Sequence, residues 1–108
     1  MDTLASINEW VASHPLALIV FTTPDCGVCN SIKPRLAELE QAHELITLRY
    51  VNTTESVEVA AQFSVFAVPV LALFVGGRET IRFARYFGMD ELDDAVARYE
   101  WLLSDDRT

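Results

Sequence analysis

Two cysteines are the only thiols in the 108-residue chain, and they stand three positions apart in Thr23-Pro24-Asp25-Cys26-Gly27-Val28-Cys29-Asn30. Four chemistries use such a pair: a metal site, a structural disulfide, two buried thiols, or a redox couple. Structural zinc commonly takes four ligands from cysteine and histidine. The remaining candidates, His14 and His43, lie at no spacing from the cysteines typical of a zinc module. A metal or cluster shared between two chains, and simple burial of two small apolar residues, stay open as alternatives. The spacing itself suits a redox couple. Residues three apart on a helix have Cα atoms about 5 to 6 Å apart, which a disulfide can close and reopen without moving the backbone far.

The elements around the pair must give the two sulfurs different surroundings. Leu16–Phe21 (LALIVF) is short, apolar on both faces and rich in branched residues, the pattern of a central strand covered on both sides. From Cys26 the period changes: Cys29, Ile32, Leu36 and Leu39 recur at helical spacing and define one inward face. The strand therefore passes into a helix at Cys26. There the unpaired amides and the positive end of the helix dipole stabilise a thiolate, so Cys26 is expected to attack. Cys29 points inward and is expected to resolve, and Gly27 leaves the approach to Cys26 open. Pro34 falls inside the helix and is expected to bend it rather than end it.

The remaining pattern supplies a frame. Asp2 or Thr3 can cap a first helix bearing Leu4, Ile7 and Val11, which ends near Ser13 before Pro15. Leu45 to Val51 reads as a strand, and Asn52, Thr53 and Thr54 offer caps for a helix from Glu55 to about Phe63. Val70–Val75 (VLALFV) is another buried strand. Gly76-Gly77 then supplies a tight hairpin, and Glu79 to Tyr86 returns antiparallel. Asp90 is expected to cap a last helix with the stripe Leu92, Ala95, Val96, Tyr99 and Leu102 or Leu103, fraying from Ser104. The aromatics Tyr86 and Phe87 either pack in the core or line an interface. The order predicts one α/β domain over residues 1–108, a four-stranded mixed sheet with helices on both faces.

Composition narrows the partners. A chain this long can bury a core without a metal or disulfide staple, and its apolar fraction of 51% is that of a globular protein. A net charge of −8 argues against nucleic acid, because nothing offers phosphate neutralisation. The longest apolar runs are too short to span a bilayer. The N-terminus MDTLASINEW has no basic n-region, so a cytoplasmic protein is expected, and in a reducing compartment close cysteines favour redox chemistry over a permanent disulfide.

These residues resemble the thioredoxin family. The resemblance rests on LALIVF, on CGVC opening a helix that contains Pro34, and on VPVLALFVGGRE, in which Val68-Pro69 precedes an apolar hairpin. It covers about Leu16 to Leu103 and is nearest to short bacterial thioredoxin-like proteins that lack the family's first strand. It implies a cis Val68–Pro69 bond, with Pro69 beside the disulfide and the Val68 backbone offered to an extended substrate. The implied site is Cys26 and Cys29 as catalytic residues, with Gly27, Val28, Val68 and Pro69 binding substrate and no cofactor. Four positions depart from the family pattern. Asp25 stands where Trp is usual before the first cysteine, Val28 where proline is usual, Asn30 where a basic residue is usual, and Val20 where a buried Asp helps move the resolving thiol's proton. A carboxylate beside Cys26 opposes its thiolate. Lys33, the only lysine, follows Cys29 by one turn and is either a thiol-tuning cation or a solvated surface residue.

The expected function is a thiol–disulfide oxidoreductase that reduces protein disulfides, re-reduced by a reductase or a low-molecular-weight thiol and acting as a monomer. The alternatives are a non-catalytic thioredoxin-fold binding protein and a redox sensor.

Overall fold

The computed structural model describes residues 2–84 and 87–105. Thr3 caps the first helix, α1 (Leu4–Ser13): its Oγ1 accepts from the Ser6 amide at 3.0 Å, while Ser6 Oγ accepts from the Thr3 amide at 3.0 Å. This reciprocal pair satisfies two amides that a helix start leaves without partners. Of the two expected caps, Thr3 does the work. Asp2 instead forms an ion pair with Arg49.

Pro15 follows α1, and the chain enters β1 (Leu16–Thr22), in which every residue is buried. The other elements are α2 (Gly27–Ala42), β2 (Ile46–Asn52), α3 (Val57–Gln62), β3 (Val70–Val75), β4 (Arg78–Ala84) and α4 (Met89–Asp105). The sheet order is β2-β1-β3-β4. β1 pairs parallel with β2 and antiparallel with β3, and β4 closes the hairpin. Among the described residues no strand precedes α1.

Alternation along β1 divides the core. Ala17, Ile19 and Phe21 pack with Ile7 and Val11 of α1 and Val59 of α3. Leu16, Leu18 and Val20 pack on the other face with Leu36 and Leu39 of α2 and Leu92 and Val96 of α4. Helices thus cover both faces, as the two-sided apolar pattern of LALIVF requires.

Several boundaries differ from the sequence reading. Asn52 does not cap α3. Its Oδ1 accepts from the Thr54 amide at 2.9 Å, and this local turn delays α3 until Val57, with Ser56 in the cap position. The helix also stops at Gln62, because Ser64 takes a left-handed backbone (φ 57°), the Val65 amide donates to the Ala60 carbonyl at 2.8 Å and the Ser64 amide to the Ala61 carbonyl at 3.0 Å. Those two bonds are a Schellman termination on a residue other than glycine. Asp90 does not cap α4 but lies in its first turn. Gly88 precedes the helix, and Glu91 Oε1 accepts from the Gly88 amide at 3.1 Å. Ser104 and Asp105 remain helical where fraying is expected.

β2 and β4 are each offset by one residue at their starts. The expected end of β4 at Tyr86 lies outside the described residues. Phe87 packs on Phe83, ring centroids 5.6 Å apart, and belongs to the core. Gly76 and Gly77 have φ of 60° and 83°, the pair of positive values that a two-residue hairpin of this twist demands.

At the far end of α2, His43 ties the helix to α4. Its Nε2 lies 2.8 Å from Asp93 Oδ1 and its Nδ1 3.0 Å from Glu100 Oε1, and Glu100 Oε2 accepts from the Leu45 amide at 2.9 Å. Both ring nitrogens face carboxylate oxygens, which only the protonated imidazole can satisfy. Burial of the ring opposes the charge, but the hydrogen bonds to Asp93 and Glu100 outweigh it and hold the His43 pKa above its ordinary value. Burial likewise opposes the Glu100 carboxylate, and the Leu45 amide and His43 outweigh it to lower the Glu100 pKa.

The sign of the linkage follows. A raised histidine pKa gives stabilisation that is complete below the unfolded pKa near 6.5 and is lost as pH rises through the folded value. Urea denaturation from mildly acidic to mildly alkaline pH should therefore show the wild type losing about 1 to 2 kcal/mol relative to His43→Gln. A constant difference between the two across that range would contradict the clasp.

Candidate active site

β1 ends at Thr22, and a turn follows in which the Cys26 amide donates to the Thr23 carbonyl at 3.3 Å. Pro24 and Asp25 hold the two central positions, and a proline's fixed φ suits the first of them. The turn delivers Cys26 to the cap of α2 in an extended conformation, φ −84° and ψ 106°. Its Sγ does what a serine or aspartate oxygen commonly does: it accepts from the Cys29 amide, at 3.1 Å. The helix runs past Pro34, which withholds one amide, to Ala42.

Cys26 and Cys29 are joined by a disulfide with Cα atoms 5.2 Å apart. Cys26 is partly exposed, whereas Cys29 is completely buried. Gly27 and Val28 form an open rim: a methyl placed on Gly27 would meet nothing within 4 Å, and Val28 is 56% exposed.

Val68 and Pro69 reach the same place by strand pairing. Val70, the first residue of β3, is paired with Phe21 near the end of β1, so the residues just before β3 lie at the edge from which the Thr23–Cys26 turn leaves. The Val68–Pro69 bond is cis, Pro69 is buried, and Val68 packs against the α1–α3 side of the core. Thr23 and Val68 line one open pocket of about 290 Å³, together with Val57, Ala60 and Phe66. On the other side of Phe66 a pocket of about 240 Å³ is lined by Val68, Pro69, Arg82 and Ala84.

Phe66, 87% exposed, separates these pockets, and Val57 is 64% exposed. The sequence reading did not single out either residue. Phe66 lies within a continuous apolar run, and only the left-handed Ser64 turn buries Val65 and leaves Phe66 outside.

Behind the pair the surroundings are apolar. Val20 is completely buried, level with Tyr50 of β2 and Leu71 of β3. Lys33 Nζ lies over the Tyr50 ring, 5.6 Å from its centre, so the cation has an aromatic partner. In front, Asp25 is exposed, and among the described residues its carboxylate has no ion-pair or hydrogen-bond partner. His14 is held at the end of α1 by the Trp10 carbonyl, 2.8 Å from Nδ1. Among the described residues no group of three or more His, Cys, Asp or Glu side chains could hold a metal, and no helix is long and apolar enough to cross a membrane.

The chain belongs to the thioredoxin family, whose model matches residues 2–98, and its CxxC disulfide at a strand-to-helix junction is that of a thiol–disulfide oxidoreductase. Among curated relatives it is similar to the thioredoxin-like protein YdfQ of Bacillus subtilis, 35% identical over 98 residues covering 91% of this chain and 88% of that protein. It is also similar to the thioredoxin of Alicyclobacillus acidocaldarius, 29% identical over 96 residues covering 88% and 91% respectively. The oxidised mitochondrial thioredoxin 3 of Saccharomyces cerevisiae shares the fold. It superimposes with a TM-score of 0.81 at 21% identity, over 88% of this chain and 89% of that one.

In the disulfide form the Cys29 amide and the start of α2 face the Cys26 sulfur, and reduction is expected to leave them there. Alkylation of the folded, reduced protein should modify Cys26 first, with a pH midpoint below the value of about 8.5 for free cysteine. Asp25→Asn should lower that midpoint further. Equal labelling of both cysteines, or a midpoint at the free value, would contradict the assignment.

Proposed function

We propose that the protein reduces disulfides in other proteins, in the cytoplasm, with Cys26 as nucleophile and Cys29 as resolving thiol. The observation that carries this reading is the inequality of the two sulfurs: one partly exposed and capped by an amide, the other buried behind it. The Cys26 thiolate attacks one sulfur of the substrate disulfide. A Cys26–substrate bond forms, and the first substrate thiolate leaves and takes a proton from water. Cys29, having given up its proton, attacks Cys26. The mixed disulfide breaks, the second substrate thiolate leaves, and the protein holds the oxidised pair.

An extended substrate strand would lie across Gly27, Val28, Val68 and Pro69, with Phe66 and its flanking pockets receiving apolar side chains. Residues 1–108 act as one thioredoxin-like domain and as a monomer, without a cofactor. Electrons return from a reductase or a low-molecular-weight thiol.

A second reading, a non-catalytic binding protein that keeps the groove or a redox sensor whose pair oxidises without turnover, is favoured by Val20. Val20 is a buried apolar side chain, and among the described residues no carboxylate is buried to accept the Cys29 proton. Two experiments separate the readings. Cys29→Ser should accumulate mixed disulfides with protein substrates, Cys26→Ser should not, and the wild type should turn over a model protein disulfide. Failure of capture and turnover together would leave the binding reading. Introducing the base by Val20→Asp should speed release of the mixed disulfide while lowering stability by a few kcal/mol for the buried carboxyl. An unchanged release rate would show that water or the substrate already takes the proton.

A further inference from the structure

We infer that Asp25 selects substrates by charge, favouring disulfides flanked by cationic groups and disfavouring those flanked by carboxylates. The inference rests on the reading that Cys26 attacks. Asp25 directly precedes Cys26, occupies the exposed turn that presents it, and is the only charged residue in TPDCGVCN.

Among the described residues no hydrogen bond or ion pair engages the Asp25 carboxylate, and three cations are committed elsewhere: Lys33 over the Tyr50 ring, Arg82 with both oxygens of Glu79 at 2.8 Å, and Arg49 with Asp2. The pocket shared by Thr23 and Val68 is lined mainly by apolar side chains such as Val57, Ala60 and Phe66, and the net charge of −8 has the same sign as Asp25. The Asp25 carboxylate, exposed and one residue from the attacking cysteine, is therefore placed to act on the charge of an arriving disulfide.

A separation of about 7 Å between the Asp25 carboxylate and a charge on the disulfide sets the scale of the effect. At that distance, in a largely aqueous dielectric, one unit charge changes the encounter by roughly three-fold, upward for a cation and downward for an anion. The interaction lies in solvent, so salt should abolish it. A small-molecule thiol acting as electron donor meets the same field, and one that carries carboxylates near its sulfur is at a disadvantage.

The test uses the reduced full chain with three small disulfides: cystamine, which carries two ammonium groups; neutral bis(2-hydroxyethyl) disulfide; and dithiodiglycolate, which carries two carboxylates. In each reaction the Cys26 thiolate forms a bond to one disulfide sulfur and the other leaves as a thiolate. Cys29 then completes the two-electron oxidation of the protein and the reduction of the small disulfide. Rates are compared between wild type and Asp25→Asn. Dividing each ratio by that of the neutral disulfide removes both the intrinsic reactivity of the reagent and any change in the Cys26 thiolate.

The normalised ratio should be roughly three for cystamine and roughly one-third for dithiodiglycolate at low salt. Both should converge on unity near 1 M salt, where the screening length is about 3 Å. Asp25→Glu should keep the wild-type order. If all three disulfides react and their ratios agree at low salt, selection by charge is overturned while the thiol chemistry stands. If the wild type fails to react even with the neutral disulfide, the proposed function and the inference fall together.

Discussion

The Cys29 amide donates to the Cys26 sulfur at 3.1 Å, and the organisation of the site depends on that bond. It places a sulfur where helices commonly place a serine or aspartate oxygen, so that, on the proposed mechanism, capping α2 and preparing a nucleophile become the same act. The bond exists only because β1 ends one turn earlier, at a fixed place at the sheet edge. β1 is fixed because it lies between two strands and beneath two layers of helices, with no exposed residue along its length. The same pairing brings Val68 and Pro69 to that edge from the other direction.

The two sulfurs differ in solvent exposure, and the residues around them differ in polarity. Before Cys26 stands Asp25, exposed and without a partner among the described residues; on β1, the strand that leads to the pair, Val20 is packed with Leu18 and Leu36. An apolar residue there spares the core an unpaired buried charge, which would cost several kcal/mol. On the proposed mechanism it also leaves the proton of Cys29 to water or to the departing substrate. Stability is thus favoured at the position where a general base would speed resolution, and the exposed Asp25 opposes the thiolate that the helix start favours. The thiolate is set by the balance of these two terms.

Much of this arrangement was legible in the sequence. The run LALIVF could only be a strand covered on both faces, and the change of period at Cys26 fixed both the helix and the inward direction of Cys29. The cis bond before Pro69 was not legible in the residues themselves and followed only from resemblance to a family. Features that depend on a single local hydrogen bond were harder to read. Asn52 turns its side chain onto Thr54 rather than onto a helix, and Gly88 with Glu91, not Asp90, opens α4. Phe66 was hidden because the apolar run that begins at Val65 does not reveal that Ser64, just before it, takes a left-handed turn. The His43 clasp was beyond reach for another reason: its partners lie 50 and 57 residues away, and no periodicity links them.

On the proposed mechanism the capped sulfur of Cys26 is the one that meets the substrate, at the edge where Val68 lies. The decisive measurement is the structure of the Cys29→Ser protein covalently joined to a cysteine-containing substrate peptide. A bond from the peptide sulfur to Cys26 is expected, with the peptide backbone extended alongside Val68 and a side chain against Phe66. A peptide that bonds to Cys26 but lies away from Val68 and Phe66, or one that cannot be joined to Cys26 at all, would contradict it.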